Sequence, residues 1–192
     1  MLENIKSYKI VLASKSPRRK QLLEELGISF EVKILDVEEV YPDDMPTEAI
    51  PAFLAELKAK PFEKELTDDT LVITADTIVC CDHHVLGKPA NYDEAFRMLK
   101  LLSGRVHQVA TGVCIVTKHK KKTFTATSDV FFKELTDEEI DYYVRNFKPY
   151  DNAGAYGIQE WIGYIAVERI EGSYFNVMGL PVQRLYEELR KF

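Results

Sequence analysis

The stretch Lys9-Ile10-Val11-Leu12-Ala13-Ser14-Lys15-Ser16-Pro17-Arg18-Arg19-Lys20-Gln21-Leu22-Leu23-Glu24-Glu25-Leu26-Gly27 changes its periodicity at the serines. Residues 9–13 form a short apolar run, which predicts a buried strand. Ser16 has an N-cap side chain, and Pro17 suits the first helical position because its missing N–H is one the helix would leave unpaired anyway. Leu22, Leu23 and Leu26 then give an apolar stripe at helical spacing, and Gly27 is a good stop. A strand that turns directly into a capped helix is the opening unit of an α/β fold.

The pattern continues outward from there. Residues 28–37 read as a second strand ending at Glu38-Glu39, followed by an acidic loop containing prolines. A helix is predicted from about Pro51, with Phe53, Leu54 and Leu57 on one face and Pro61 as its end. Residues 71–81 are a β-rich run, and Asp82-His83-His84 reads as a hairpin turn returning through Val85-Leu86. Asn91 and Glu94 have capping-box spacing and predict a helix to about residue 102. Residues 106–117 and 123–133 flank a lysine-rich turn and predict a long antiparallel hairpin. Thr136 and Glu139 form a second capping-box pair, for a helix to about residue 147. A loop at 150–157, a strand at 162–170 and a terminal helix opened by Pro181 complete the reading. There is no internal repeat and no clear linker, so residues 1–192 are expected to form a single mixed α/β domain.

Bulk chemistry narrows the function classes. With 46% apolar and 29% charged residues in 192, the chain can bury a full core without staples. The formal net charge of −6 argues against a nucleic-acid-binding surface, since there is no basic stripe to contact phosphates. An anion can still be bound if Lys and Arg are gathered locally or a metal is recruited. Three cysteines, two of them adjacent, make no disulfide framework. The first eight residues lack the apolar run of a signal peptide, and no stretch approaches the roughly 18 apolar residues of a membrane span. These features predict a cytoplasmic protein with no membrane partner.

Five features could carry chemistry, and each has a plainer alternative. Ser14, Ser16, Arg18 and Arg19 surround a helix N-terminus, where free N–H groups and the dipole favour an anion; the alternative is an ordinary capped helix, although basic residues oppose the dipole there. Asp76 lies in the apolar run, where an acid is costly unless paired, metal-bound or catalytic; the alternative is an acid at a strand end reaching water. Lys88 is fixed between Gly87 and Pro89, and Lys58 and Lys60 fall late in a helix; solvated lysines are the alternative, and the default for Lys60, Lys64 and the 118–122 cluster. Glu38-Glu39 and Asp43-Asp44 could hold Mg²⁺ or Mn²⁺, or form a solvated acidic loop. Gln159 follows a Gly-containing loop and has the paired donor and acceptor needed to read a base edge, whereas the loops themselves could be structural turns. Cys80-Cys81-Asp82-His83-His84 is soft-ligand rich, but strand neighbours point to opposite faces, so few of them could reach one Zn²⁺.

Several strings, in order, resemble the Maf family of nucleotide pyrophosphatases. They are Leu12-Ala13-Ser14-Lys15-Ser16-Pro17-Arg18-Arg19, Ala75-Asp76-Thr77-Ile78-Val79, Gly87-Lys88-Pro89, Leu102-Ser103-Gly104-Arg105-Val106-His107, Thr111-Gly112-Val113, Ala153-Gly154-Ala155-Tyr156-Gly157-Ile158-Gln159 and Gly179-Leu180-Pro181. Each is weak alone, but their joint presence over nearly the whole chain is specific. The resemblance implies an elongated central sheet with flanking helices, two lobes around a cleft, related to the inosine triphosphatases. It implies a nucleoside triphosphate substrate, a divalent metal cation (Mg²⁺ or Mn²⁺), release of monophosphate and diphosphate, a house-cleaning role, and a homodimer. It implies that Asp76 is the general base, that Glu38 or Glu39 is the acidic position, and that Ser14, Lys58 and Lys88 lie on the phosphate side, where Arg18 could join them; Asp76 could equally serve as a metal ligand with Glu38 or Glu39, so base, ligand and both stay open. It also implies that Arg18, Thr77 and Gln159 set substrate choice, in the pattern of the branch acting on dTTP and UTP rather than 7-methyl-GTP. Glu160 and Trp161 depart from the small residues often found after Gln159. The family's link to septum formation offers a second reading, a nucleotide-binding regulator of cell division without turnover; a placed base such as Asp76 favours the enzyme.

Overall fold

The computed structural model describes residues 2–192. Strand β1 (Lys9–Leu12) leads through the serine turn into helix α1 (Pro17–Glu25). Ser16 is the N-cap, its side chain accepting from the Arg19 N–H, with Pro17 at the start of the helix. Leu22 and Leu23 are buried, and Gly27 leaves the helix at φ 72°, a conformation that a Cβ disfavours. β2 (Glu31–Val32), α2 (Ile50–Ala59), β3 (Thr70–Cys81), β4 (His84–Leu86) and α3 (Tyr92–Leu102) follow. Then come β5 (Val106–Thr117), β6 (Lys121–Phe132), α4 (Asp137–Phe147), α5 (Trp161–Ala166), β7 (Val167–Glu171), α6 (Tyr174–Met178) and α7 (Val182–Leu189).

The strands form one mixed seven-stranded sheet in the order β2-β1-β3-β5-β6-β7, with β4 also pairing with β3. β1 runs parallel to both β2 and β3, with Leu12 opposite Ile73. β4 returns antiparallel on β3 through a turn in which Asp82 and His83 both have positive φ. This mixed α/β sheet with flanking helices is the expected class. The chain divides into two compact units: residues 1–76, 111–126 and 179–192, and residues 77–110 and 127–178.

In the first unit, Ala55, Ala59 and Phe62 of α2 and the following 3₁₀ turn pack on Val72, Cys114 and Val116. The carbonyl of Pro51 lies where a side chain on Gly112 would be: a Cβ there would come within 2.0 Å of it. Glycine at 112 is therefore what lets β5 pass directly under the start of α2. In the second unit, Leu99 and Leu102 of α3, Ile140, Tyr143 and Val144 of α4, and Ile162 and Ala166 of α5 share a core with Val130 and Phe132 of β6. α4 carries the full capping box of Thr136 and Glu139. At α3 only half of the expected box forms: Asn91 caps Glu94, but the Glu94 carboxylate accepts from the Ala90 N–H instead.

Two expected strands are different in the structure. Of residues 28–37 only Glu31–Val32 is strand. This is an edge segment with one neighbour, and it leaves the ladder so that Leu35 can pack on the α2 core. The segment 162–170 begins as a helix and becomes strand only at Val167. Ile162 and Ala166, four apart and both fully buried, mark a helical face that the run of apolar residues had concealed. Gly163 makes that turn feasible, because a Cβ there would lie 1.7 Å from the Ile158 carbonyl oxygen.

Candidate active site

Strand period and helix period together build the centre of the site. Thr74 and Asp76 are two apart on β3 and so share a face. Thr74 is fully buried and donates its hydroxyl to the Ala55 carbonyl of α2 at 2.5 Å. Lys58 lies one helical turn beyond Ala55, on the same side of α2. The Thr74 bond thus fixes the helix at a height that brings the Lys58 ammonium to Asp76. Nζ donates to Asp76 Oδ1 at 2.5 Å and lies 3.1 Å from Glu39 Oε1. Asp76 is only 7% exposed. Of the two adjacent acids expected at the site, both are exposed, and Glu39 is the one that reaches Lys58.

The serine turn supplies the second part. Ser14 is buried, and its Oγ accepts from the Ser16 N–H at 3.2 Å and from Arg19 Nη1 at 3.4 Å. Arg19 also donates through Nη1 to the Ala75 carbonyl at 2.9 Å and through Nε to the Gly179 carbonyl at 2.8 Å. One guanidinium thereby ties together the turn, β3 beside Asp76, and the loop ahead of α7. Burial pulls the Arg19 pKa down, while the Asp76 and Glu39 carboxylates push it back up; an arginine remains charged through such shifts. Arg18, singled out from the sequence for phosphate, is half-buried on the first turn of α1. Sequence reasoning missed Arg19's locking role. Its signal was the pair Arg18-Arg19, in which nothing distinguishes the two.

The remaining residues lie in the second unit. Thr77 follows Asp76 on β3 and is half-buried. Lys88 is exposed, with Asp151 at 4.0 Å. Its loop is held by a bond from the Gly154 N–H to the Gly87 carbonyl, and Gly154 has φ 68° against the Val79 side chain. Gln159 buries its Oε1, which has no hydrogen-bond partner. Glu160, the departure noted in the sequence, is structural here. Its carboxylate accepts from the Tyr143 hydroxyl and from Asn152 Nδ2, and Tyr143 in turn accepts from the Gly157 N–H at 3.1 Å. This small network fixes the loop that presents Gln159.

The donor set fits a hard cation. Two carboxylate oxygens, from Asp76 and Glu39, already converge on one positive charge, and oxygen donors suit Mg²⁺ or Mn²⁺. Among the described residues no group of three or more His, Cys, Asp or Glu side chains is arranged as a metal site, so the protein supplies at most part of the coordination. Also among the described residues, no helix is long and apolar enough to cross a membrane.

A protein from Phocaeicola vulgatus with the name dTTP/UTP pyrophosphatase is 59% identical over 192 residues, covering all of both chains. One of the same name from Parabacteroides distasonis is 58% identical, again over the whole of both. Among solved structures, a nucleoside-triphosphatase (dITP/XTP pyrophosphatase) from Mycobacterium abscessus is similar at a TM-score of 0.44 and 16% identity. It covers 94% of this chain and 91% of its own, and is too remote to bear on the chemistry. The model of the family described as Maf-like protein matches residues 9–192. With that match over residues 9–192 and relatives of more than 50% identity along the whole chain, the chain belongs to the Maf family.

Proposed function

We propose that this chain is a nucleoside triphosphate pyrophosphatase that hydrolyses dTTP and UTP to the monophosphate and diphosphate. The observation that carries the reading is the buried Asp76 carboxylate, held by Lys58 and facing Glu39, beside the Arg19-locked serine turn. The names of the relatives from Phocaeicola and Parabacteroides support the same substrates.

The residues divide the work by charge. A triphosphate brings several negative charges, and Arg18, Lys58 and Lys88 neutralise them, with the Ser14 turn offering hydroxyl and N–H groups to phosphate oxygens. Asp76 orients a water and takes its proton as the water oxygen bonds to the α-phosphorus. The bond from that phosphorus to the bridging oxygen breaks, and diphosphate leaves with the electron pair. Asp76 and Glu39 are the residues that would hold Mg²⁺ or Mn²⁺, which when bound supplies Lewis acidity toward phosphate oxygens and water.

Substrate choice falls to Gln159, Thr77 and Arg18. Uracil and thymine present an N3–H between two carbonyls. The buried, unpartnered Oε1 of Gln159 is an acceptor for that N3–H, and the same amide can donate to a neighbouring carbonyl. Cytosine has no N3–H to give, so the buried acceptor stays unpaired with it, a strong form of discrimination. The test is product analysis with dTTP, UTP, CTP and GTP in Mg²⁺ or Mn²⁺. Monophosphate plus diphosphate, fastest from dTTP and UTP, is expected; nucleoside diphosphate plus orthophosphate would refute the bond assignment.

A further inference from the structure

Five charges in the first unit act on one another. Asp76 and Glu39 contribute two negative charges, and Lys58, Arg19 and Arg18 three positive, for a sum of −2 + 3 = +1. Arg19 cannot leave: it is bound to Ser14 Oγ and to two backbone carbonyls. Lys58 is different. Its ammonium sits at the end of a flexible four-carbon stem near the end of α2, and it is held by the two carboxylates alone. It is within contact distance of both, at 2.5 Å from one and 3.1 Å from the other. That is the position in which a divalent ion would use both. A divalent cation entering this cluster while Lys58 stayed in place would leave it strongly positive in a partly buried place, where charge repulsion is poorly screened.

We propose that Lys58 is a displaceable internal cation that keeps the metal position between Asp76 and Glu39 filled until a triphosphate arrives. The nucleotide's negative charges draw the ammonium onto a phosphate, and the two carboxylates are released for the divalent ion that accompanies the nucleotide. Lys58 is then a phosphate ligand in the complex and a counter-ion in the free protein. The order has a use, since the water-orienting Asp76 is neutralised and quiet whenever no substrate is present. The proposal rests on the pyrophosphatase reading for the identity of the nucleotide, but its test contains none.

The experiment is a titration of nucleotide-free protein with Mn²⁺ at fixed pH, reading free Mn²⁺ by its electron paramagnetic resonance signal. Wild type is compared with Lys58→Met, with Lys58→Gln as a second removal of the charge, and with Lys58→Met/Asp76→Asn; circular dichroism verifies folding. The single variants are expected to bind Mn²⁺ at least about tenfold more tightly than wild type, as loss of a close competing charge demands, and the double variant to lose that gain. Equal affinity in wild type and both single variants overturns the proposal, as does a gain that survives Asp76→Asn, since the metal would then lie elsewhere. A wild type that makes no monophosphate from dTTP or UTP would defeat the functional reading while leaving this result interpretable.

Discussion

Asp76 occupies a position where physical chemistry leaves few options. A carboxylate 7% exposed in an apolar strand needs a partner, and the Lys58 ammonium at 2.5 Å supplies one. Asp76→Asn keeps the shape and removes both charge and proton acceptance. We expect kcat to fall at least about 100-fold, the low end for general-base contributions, while the dissociation constant for a non-hydrolysable dTTP analogue changes far less. Steady-state kinetics with equilibrium binding on the same folded variant measure both, and near wild-type turnover removes Asp76 from the role. This residue was legible in sequence because an acid in an apolar run has no inexpensive explanation. The neighbouring choices were not. Glu38 and Glu39 differ only in which way a loop turns them. Arg18 and Arg19 are separated by about 100° around a helix, and only the positions of Ala75 and Gly179 decide that Arg19 is the lock.

An element is placed by what its neighbour permits, and α2 shows this most directly. Its carbonyl at Pro51 occupies the space that any side chain at 112 would need, with a Cβ only 2.0 Å from the oxygen. Backbone cannot fold aside as a flexible side chain can, so Gly112→Ala must push α2 off β5. The expected cost is about 3 kcal/mol or more, read from urea denaturation, together with lost activity because Lys58 rides on the same helix. Gly87→Ala is the comparison: nothing lies within 4 Å of its Cβ, and its effect on stability should stay within about 0.5 kcal/mol. If the two variants unfold at the same urea concentration, the close approach is not what fixes the helix. Capped helices were the elements most visible in sequence, because Ser16, Asn91 and Thr136 carry local chemistry that needs no tertiary partner. The misread strands were those decided from outside. Residues 28–37 have β-forming side chains but lie at a sheet edge, and 162–170 divides at Val167 only because Gly163 lets a helical turn close on Ile158.

At the scale of the whole molecule, the fold class followed from the alternation of elements, whereas the buried polar groups on which stability turns came from contacts distant in sequence. His107 is the clearest of these. It is 2% exposed, packs edge-on against Phe132 and Tyr156 at 4.8 and 5.3 Å, and shares one hydrogen bond with the Tyr156 hydroxyl at 2.7 Å. Burial lowers its pKa from 6.5 to about 4. A histidine with a depressed folded-state pKa stabilises the fold while it is neutral in both states, above pH 6.5. As pH falls below 6.5 the unfolded chain takes up a proton that the folded chain refuses, so stability declines until the folded pKa near 4 is passed and then levels. The full effect is at most about 3 kcal/mol. Carboxylates with lowered pKa, such as Glu139 and Asp141, add their own decline toward acid, so the measurement must be a difference. Urea midpoints from pH 7.5 to 4 should fall for wild type and fall less for His107→Phe. That variant starts less stable, because the Tyr156 hydroxyl loses its partner, but it lacks the titrating ring. The two curves should therefore approach each other between pH 6.5 and 4. Parallel curves would mean that the imidazole accepts its proton as readily inside the protein as outside, and that burial of His107 is not what sets the acid limit of the fold.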